Sequence, residues 1–248
     1  MTLTIEWLGS PNKETGRRGY RPEAIVVHIM DGTLVGTDAW FAKRASQVSA
    51  HYGIGMGGEI HQYVAESNTA WHAGRRFQPS WRLIKPDVNP NFYTIGIEHE
   101  GQDATPWSEV MLAASTSLAA TICNRWSIRV DRAHLIGHRE IYKLKTCPGS
   151  WIDLKAWVER VRQTVLNPAS YNFVAAAGTV QTRTDLNLRQ GAPTTEAPVG
   201  RTAHAGETLG YTGWTSNGLT VNANAHWYQT GDGRYFWAGA TTRPVPGI

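Results

Sequence analysis

Apolar positions fall in short runs broken by Gly, Pro and Asn, and their period changes near Pro168. Before that point two periods alternate. Ala24 to Ile29 is a β-branched run behind Pro22 and predicts a strand. Thr37 or Asp38 is a cap candidate for a helix reaching about Ser46. His51 to Met56 and Glu59 to Val64 predict a hairpin through Gly57-Gly58. Thr94 to Glu100 predicts another strand. Thr105-Pro106 predicts a helix start, with Met111, Leu118 and Ile122 carrying the helix to about Arg125. His134 to Ile136 predicts a short strand ending at Gly137. Ser150 and Asp153 read as a capping box before Leu154, Val158, Val161 and Val165, a helix that Pro168 stops.

Strands alternating with helices predict an α/β layer structure. After Pro168 the helical period is gone. Thr179 to Thr182, Arg201 to His204, His226 to Gln229 and Tyr235 to Ala238 are short strand-like runs between Gly, Asn and Asp, which predicts a small all-β barrel of about seventy residues. The expected division is 1–168, a linker at 169–178 and a second domain at 179–248.

The net charge of +4 brings no dense Lys/Arg run, so nucleic acid is not an expected partner. From Tyr171 onward five Lys/Arg face four Asp/Glu, so most of the excess lies earlier, a mild field that suits an anionic polymer. No window approaches the roughly eighteen unbroken apolar residues of a membrane span, and no membrane partner is expected. The first residues lack a basic stretch followed by an apolar one, so no secretory leader is expected. Two cysteines, Cys123 and Cys147, are no disulfide scaffold in a chain of 248 residues, and the sequence leaves a bond between them open.

Three residues stand out by context. His28 ends the first strand, His138 follows Leu-Ile-Gly at the end of a later one, and Cys147 sits in a loop before a helix. Two His and one Cys leave a fourth zinc position for water. By spacing alone a strand-end His and a stray Cys are the better reading of the same residues.

Six segments, in order, carry a resemblance: Val26-Val27-His28, Val48-Ser49-Ala50-His51-Tyr52, Ala70-Trp71-His72-Ala73-Gly74, Ile95-Gly96-Ile97-Glu98, Ile136-Gly137-His138-Arg139-Glu140 and Lys145-Thr146-Cys147-Pro148-Gly149. Together they resemble the type 2 N-acetylmuramoyl-L-alanine amidases over roughly residues 20 to 165. The resemblance implies a central mixed β-sheet flanked by helices and one zinc ion per chain on His28, His138 and Cys147. It implies Glu98 as the proton-transferring base, Lys145 as the cation beside the developing oxyanion, and Trp71 and His72 as substrate contacts. Cys123, beside Ile122 on the long helix, reads as core packing. Strand alternation puts Gly96 and Glu98 on one face, where a carboxylate can look into a cleft.

The chain departs from many members at Ala50, where they place a tyrosine near the metal; Tyr52 lies two residues farther along. That points to Glu98 as the base and toward the muropeptide-recycling subgroup, which usually has Asp where this chain has Cys147. The tail segment Leu186-Asn187-Leu188-Arg189-Gln190-Gly191-Ala192-Pro193, with His226-Trp227-Tyr228 and Tyr235-Phe236-Trp237, resembles bacterial SH3-like wall-binding domains. The expectation is a monomeric amidase of peptidoglycan, made in the cytoplasm and acting on the wall as an endolysin or autolysin, holin-released if phage-encoded. The alternatives are a cytosolic recycling amidase and a non-catalytic peptidoglycan-binding protein.

Overall fold

The computed structural model describes residues 3–247; Met1 and Thr2, at the head of the stretch read for a leader, and Ile248 lie outside them. The chain divides into two compact units. The first runs to Ala119 and resumes over Val130–Val161; the second comprises Ala120–Arg129 and the residues from Arg162 on.

The first unit contains β1 (Glu6–Trp7), β2 (Lys13–Glu14), β3 (Ala24–Ile29), α1 (Leu34–Phe41), β4 (Tyr52–Ile54), β5 (Ile60–Gln62), β6 (Thr69–Ala70), β7 (Thr94–His99) and β8 (Leu135–Gly137). Most of α2 (Glu109–Trp126) and α3 (Leu154–Leu166) also belongs to it. Its main sheet has the order β1-β5-β4-β7-β3-β8, with β2 and β6 pairing separately. β3 is parallel to both neighbours, β4 is parallel to β7, and β4 and β5 form the expected antiparallel hairpin. The mixed α/β sheet implied by the resemblance is present.

β3 lies between β7 and β8, and all six of its residues are buried, as a parallel strand covered on both faces requires. Each Ile or Val side chain so buried contributes roughly 1.5–3 kcal/mol. Ala24 and Val26 pack with Trp81, Tyr93 and Ile136 on one face. The opposite face of the adjacent β7 carries His99, whose Nε2 lies 2.8 Å from Ser115 Oγ on α2. His28 and Glu98 point to the first face, away from α2, at the C-terminal ends of their strands.

Three helix starts differ from the sequence expectation. Thr33 caps α1, accepting from the Gly36 N–H, because Asp38 is engaged with Tyr63 and His61. Ser108 Oγ accepts from the Met111 N–H at the head of α2, whereas Thr105 Oγ1 accepts from the Gln102 N–H. Asp153 caps α3 alone, accepting from the Lys155 and Ala156 N–H groups, while Ser150 bonds to the Asp103 carbonyl.

The second unit holds β9 (Phe173–Gln181), β10 (Leu186–Gln190), β11 (Val199–Ala203), β12 (Thr208–Thr215), β13 (Trp227–Gln229) and β14 (Arg234–Trp237), antiparallel in the order β11-β10-β14-β13-β12-β9. Its core gathers Leu186, Leu188, Leu209, Tyr228 and Phe236. The expected linker at 169–178 is corrected here. From Phe173 it is strand, paired with β12 through Thr215↔Phe173 and Thr208↔Gln181. Ala175, Ala176, Ala177 and Gly178 are weak strand formers, and pairing with β12 overrides that weakness. Among the described residues no helix is long and apolar enough to cross a membrane.

Candidate active site

Register assembles the site. His28 on β3 pairs with Glu98 on β7, Glu98 with Gly53 on β4, and Gly53 with His61 on β5. The four form one row across four strands on one face. Val27 pairs with Gly137 on β8, so His138 emerges beside His28, their rings 4.5 Å apart. The loop after β8 returns over the same edge. A Cβ on Gly137 would fall 2.8 Å from Pro148 Cδ and 3.1 Å from the Cys147 carbonyl, so only glycine lets that loop settle here. The Cys147 carbonyl accepts from the Arg139 N–H at 3.2 Å.

His28, His138 and Cys147 offer three donor atoms within 4.8 Å of one another, all from buried residues. Bonds of ~2.0–2.3 Å to a tetrahedral ion place its donors roughly 3–4 Å apart, so small adjustments close the set on a metal. Both histidines are held neutral, the state that ligation needs. Burial is the first cause for His28, followed by the charges of His138, His72, His99 and Lys145. For His138, brought down to about 4, burial again comes first, then Lys145. Burial, then Glu98, pushes the Cys147 thiol up. No disulfide joins Cys123 and Cys147, which answers that question; Cys123 is fully buried, as expected of core packing.

Glu98 Oε1 stands 3.9 Å from His28 Nδ1, and Oε2 is buried with no hydrogen-bond partner among the described residues. Burial raises this carboxyl to about 8, against the pull of Lys145. A near-neutral carboxyl with an uncommitted oxygen, next to a donor triad, suits proton transfer. Lys145 is exposed at the rim of the same cleft, a cavity of about 240 Å³.

Trp71 and His72 both line that cleft. The Trp71 main chain is held by Ser49 Oγ, and its ring is partly exposed. The His72 ring lies flat against Gly96, where a Cβ would fall 2.5 Å from Cγ, with one nitrogen against His28 and the other against Thr94. Ala50 is buried with Phe41, Tyr63 and Val64, and the Tyr52 hydroxyl donates to Glu66 Oε1. Neither brings a hydroxyl into the cleft.

Several neighbours escaped the sequence reading. Tyr63 covers Gly53, one strand from Glu98, its hydroxyl 2.6 Å from where a Gly53 Cβ would be and donating to Asp38. Trp40, about half exposed on α1, and Asp31 line the cleft wall. An exposed tryptophan on so short a helix was the available signal for the wall; Tyr63 had none, because its position depends on strand register.

A sequence profile described as N-acetylmuramoyl-L-alanine amidase matches residues 18–150, more than half of the chain. The chain is 37% identical over 130 residues to N-acetylmuramoyl-L-alanine amidase A of Achromobacter lyticus, covering 51% of this chain and 66% of that protein. It is 30% identical over 164 residues to the 1,6-anhydro-N-acetylmuramyl-L-alanine amidase AmpD of Enterobacter cloacae, covering 58% of this chain and 83% of that protein. With AmpD of Haemophilus influenzae the identity is 30% over 118 residues, covering 47% of this chain and 60% of that protein. A selenomethionine AmpD crystal structure superposes with a TM-score of 0.54 at 24% identity, covering 65% of this chain and 96% of that one, a likeness of fold. The matched segment contains the donor triad, Glu98 and Lys145, and the chain belongs to the N-acetylmuramoyl-L-alanine amidase family.

Proposed function

We propose that this chain is a zinc hydrolase that cuts the amide between N-acetylmuramic acid and L-alanine in peptidoglycan. One observation carries the reading: three donor groups converge within 4.8 Å beside a buried carboxylate oxygen that has no partner. Two imidazoles and a thiolate suit zinc among the common divalent ions. His28, His138 and Cys147 would hold it, and zinc so held polarises a carbonyl and lowers the pKa of water.

The residues of the chain then divide the work. Glu98 accepts a proton from the attacking water and returns one to the L-alanine nitrogen as the C–N bond breaks. Lys145 sets a fixed cation at the cleft rim, where the amide oxygen gains negative charge. The Trp71 ring and the Trp40 wall present flat apolar surface to the substrate. The test is metal content and wall lysis of Cys147→Ser beside wild type, with folding checked by circular dichroism. Loss of both metal and lysis in a folded variant is expected; full lysis without metal overturns the reading.

The second unit is the proposed anchor, an SH3-like wall-binding module that raises the enzyme's local concentration on an insoluble substrate. The enzyme is then made in the cytoplasm and directed at intact wall, as an endolysin or autolysin. The AmpD relatives favour a second reading, since their name specifies 1,6-anhydro-N-acetylmuramyl substrates. Turnover of intact sacculi against soluble anhydro-muropeptide separates the two: the wall-directed enzyme prefers sacculi, the recycling enzyme the soluble compound.

A further inference from the structure

His72 lines the cleft, yet neither of its ring nitrogens is open to a ligand. Following the protons outward from the fold explains why. The Thr94 hydroxyl donates to the Pro90 carbonyl at 2.7 Å, and a carbonyl can only accept, so the hydroxyl proton is committed. Thr94 Oγ1 therefore presents a lone pair to His72 Nε2, 3.3 Å away, and that nitrogen carries the proton of the neutral ring. His72 Nδ1 is then bare. It lies 3.0 Å from His28 Nε2, which must be the protonated nitrogen of His28. What remains bare is His28 Nδ1, the nitrogen on the Glu98 side.

We propose that Thr94 and His72 form a relay of hydrogen bonds that sets the tautomer and ring orientation of His28, leaving Nδ1 as the nitrogen for the metal. They are positioning residues, and His72 is not a substrate contact. The relay is held from both ends. Thr94 is fully buried. The His72 main-chain N–H and that of Ala73 both donate to Asn91 Oδ1, at 3.2 and 2.7 Å. Gly96 provides the flat bed on which the His72 ring lies, since a Cβ there would fall 2.5 to 2.9 Å from three ring atoms. A ligating imidazole usually donates its second N–H to an outer acceptor, and removing that acceptor typically costs 10–100-fold in metal affinity. Here the acceptor is another histidine, and its own tautomer is fixed one step farther out by a threonine.

The proposal rests on the zinc reading, so its test reads protons and metal separately. In the metal-free, full-length protein, long-range proton–nitrogen NMR of the histidines should show His28 as the Nε2–H tautomer; in Thr94→Val it should become a mixture. Chelator competition should show zinc bound about 10–100-fold more weakly by Thr94→Val and His72→Ala. In His72→Asn the Asn Oδ1 stands near the place of Nδ1 and should restore most of that affinity. Gly96→Ala, which evicts the ring, should resemble His72→Ala. At saturating zinc the substrate KM should stay near the wild-type value in every variant. Unchanged zinc affinity with a raised KM in His72→Ala overturns the proposal and makes His72 a substrate contact. An Nδ1–H tautomer for His28 in the wild type overturns it too. A wild type that shows the expected tautomer but binds no zinc overturns the metal assignment instead, and with it the purpose of the relay. Circular dichroism on each variant separates these results from misfolding.

Discussion

Glu98 and His28 are register partners on adjacent parallel strands, and 3.9 Å separates Oε1 of the one from Nδ1 of the other. The proposed base thus stands on the same side of His28 as the nitrogen proposed for the metal. Glu98→Gln keeps size and shape while removing the basic oxygen. It should lower kcat by about 10²–10⁴ and leave zinc content unchanged. Steady-state kinetics with metal analysis checks this, and near-normal kcat would reassign the base.

Lys145 is exposed, and Lys145→Ala should leave stability within about 0.5 kcal/mol of wild type. Its loss should appear in kcat, by roughly 10²–10³, because a fixed cation acts on charge that develops during the reaction. A change confined to KM would place Lys145 in substrate binding.

The metal-free protein should be sensitive to acid. Five histidines, His28, His51, His72, His99 and His138, are held below their usual value of 6.5, with burial the first cause for each. Once unfolded they bind protons below about 6.5. The folded state resists until about 4 at His138 and about 3 at His72 and His99. Unfolding therefore takes up protons, and stability falls as pH drops below about 6.5, by up to about 1.4 kcal/mol per pH unit for each histidine. Glu98 has the opposite sign. Raised to about 8, its stabilising contribution is full below its ordinary value and is lost as pH rises to about 8. Urea denaturation of chelator-treated protein from pH 4 to 9 should show a steep acid limb and a shallow alkaline decline. Glu98→Gln should flatten the second and steepen the first between about 4.5 and 6.5, where the two effects oppose each other.

Gly137→Ala puts a methyl group 2.8 Å from a proline ring and 3.1 Å from a main-chain carbonyl, neither of which yields easily. It should destabilise by about 1–3 kcal/mol and lift Cys147 away from the histidines. Weakened zinc binding together with a lowered melting temperature is the expected pair of readouts; normal zinc affinity would show that the loop has room to shift.

What the sequence revealed, and what it hid, follows from the range of the interactions. Ala24 to Ile29 declared β3 with its observed limits, because burial on both faces demands an unbroken apolar run. His28, His138 and Cys147 were separable from background only through the order of six family motifs, since their convergence comes from pairing between distant strands. The helix starts were misplaced by several residues where two or more capping side chains compete, and tertiary contacts such as Asp38 with Tyr63 decided between them. Thr94, Tyr63 and the bed at Gly96 were invisible as site features. Each acts through a neighbour that register alone brings near.

β3, the source of the first donor, pairs with β8, which is made more than a hundred residues later. Contacts at such separation form late, because a long loop must close before they are rewarded. A nascent chain therefore has no complete ion site until the segment through Cys147 has emerged and docked. On the zinc reading, ion binding and with it the proposed hydrolysis wait until the sheet is assembled.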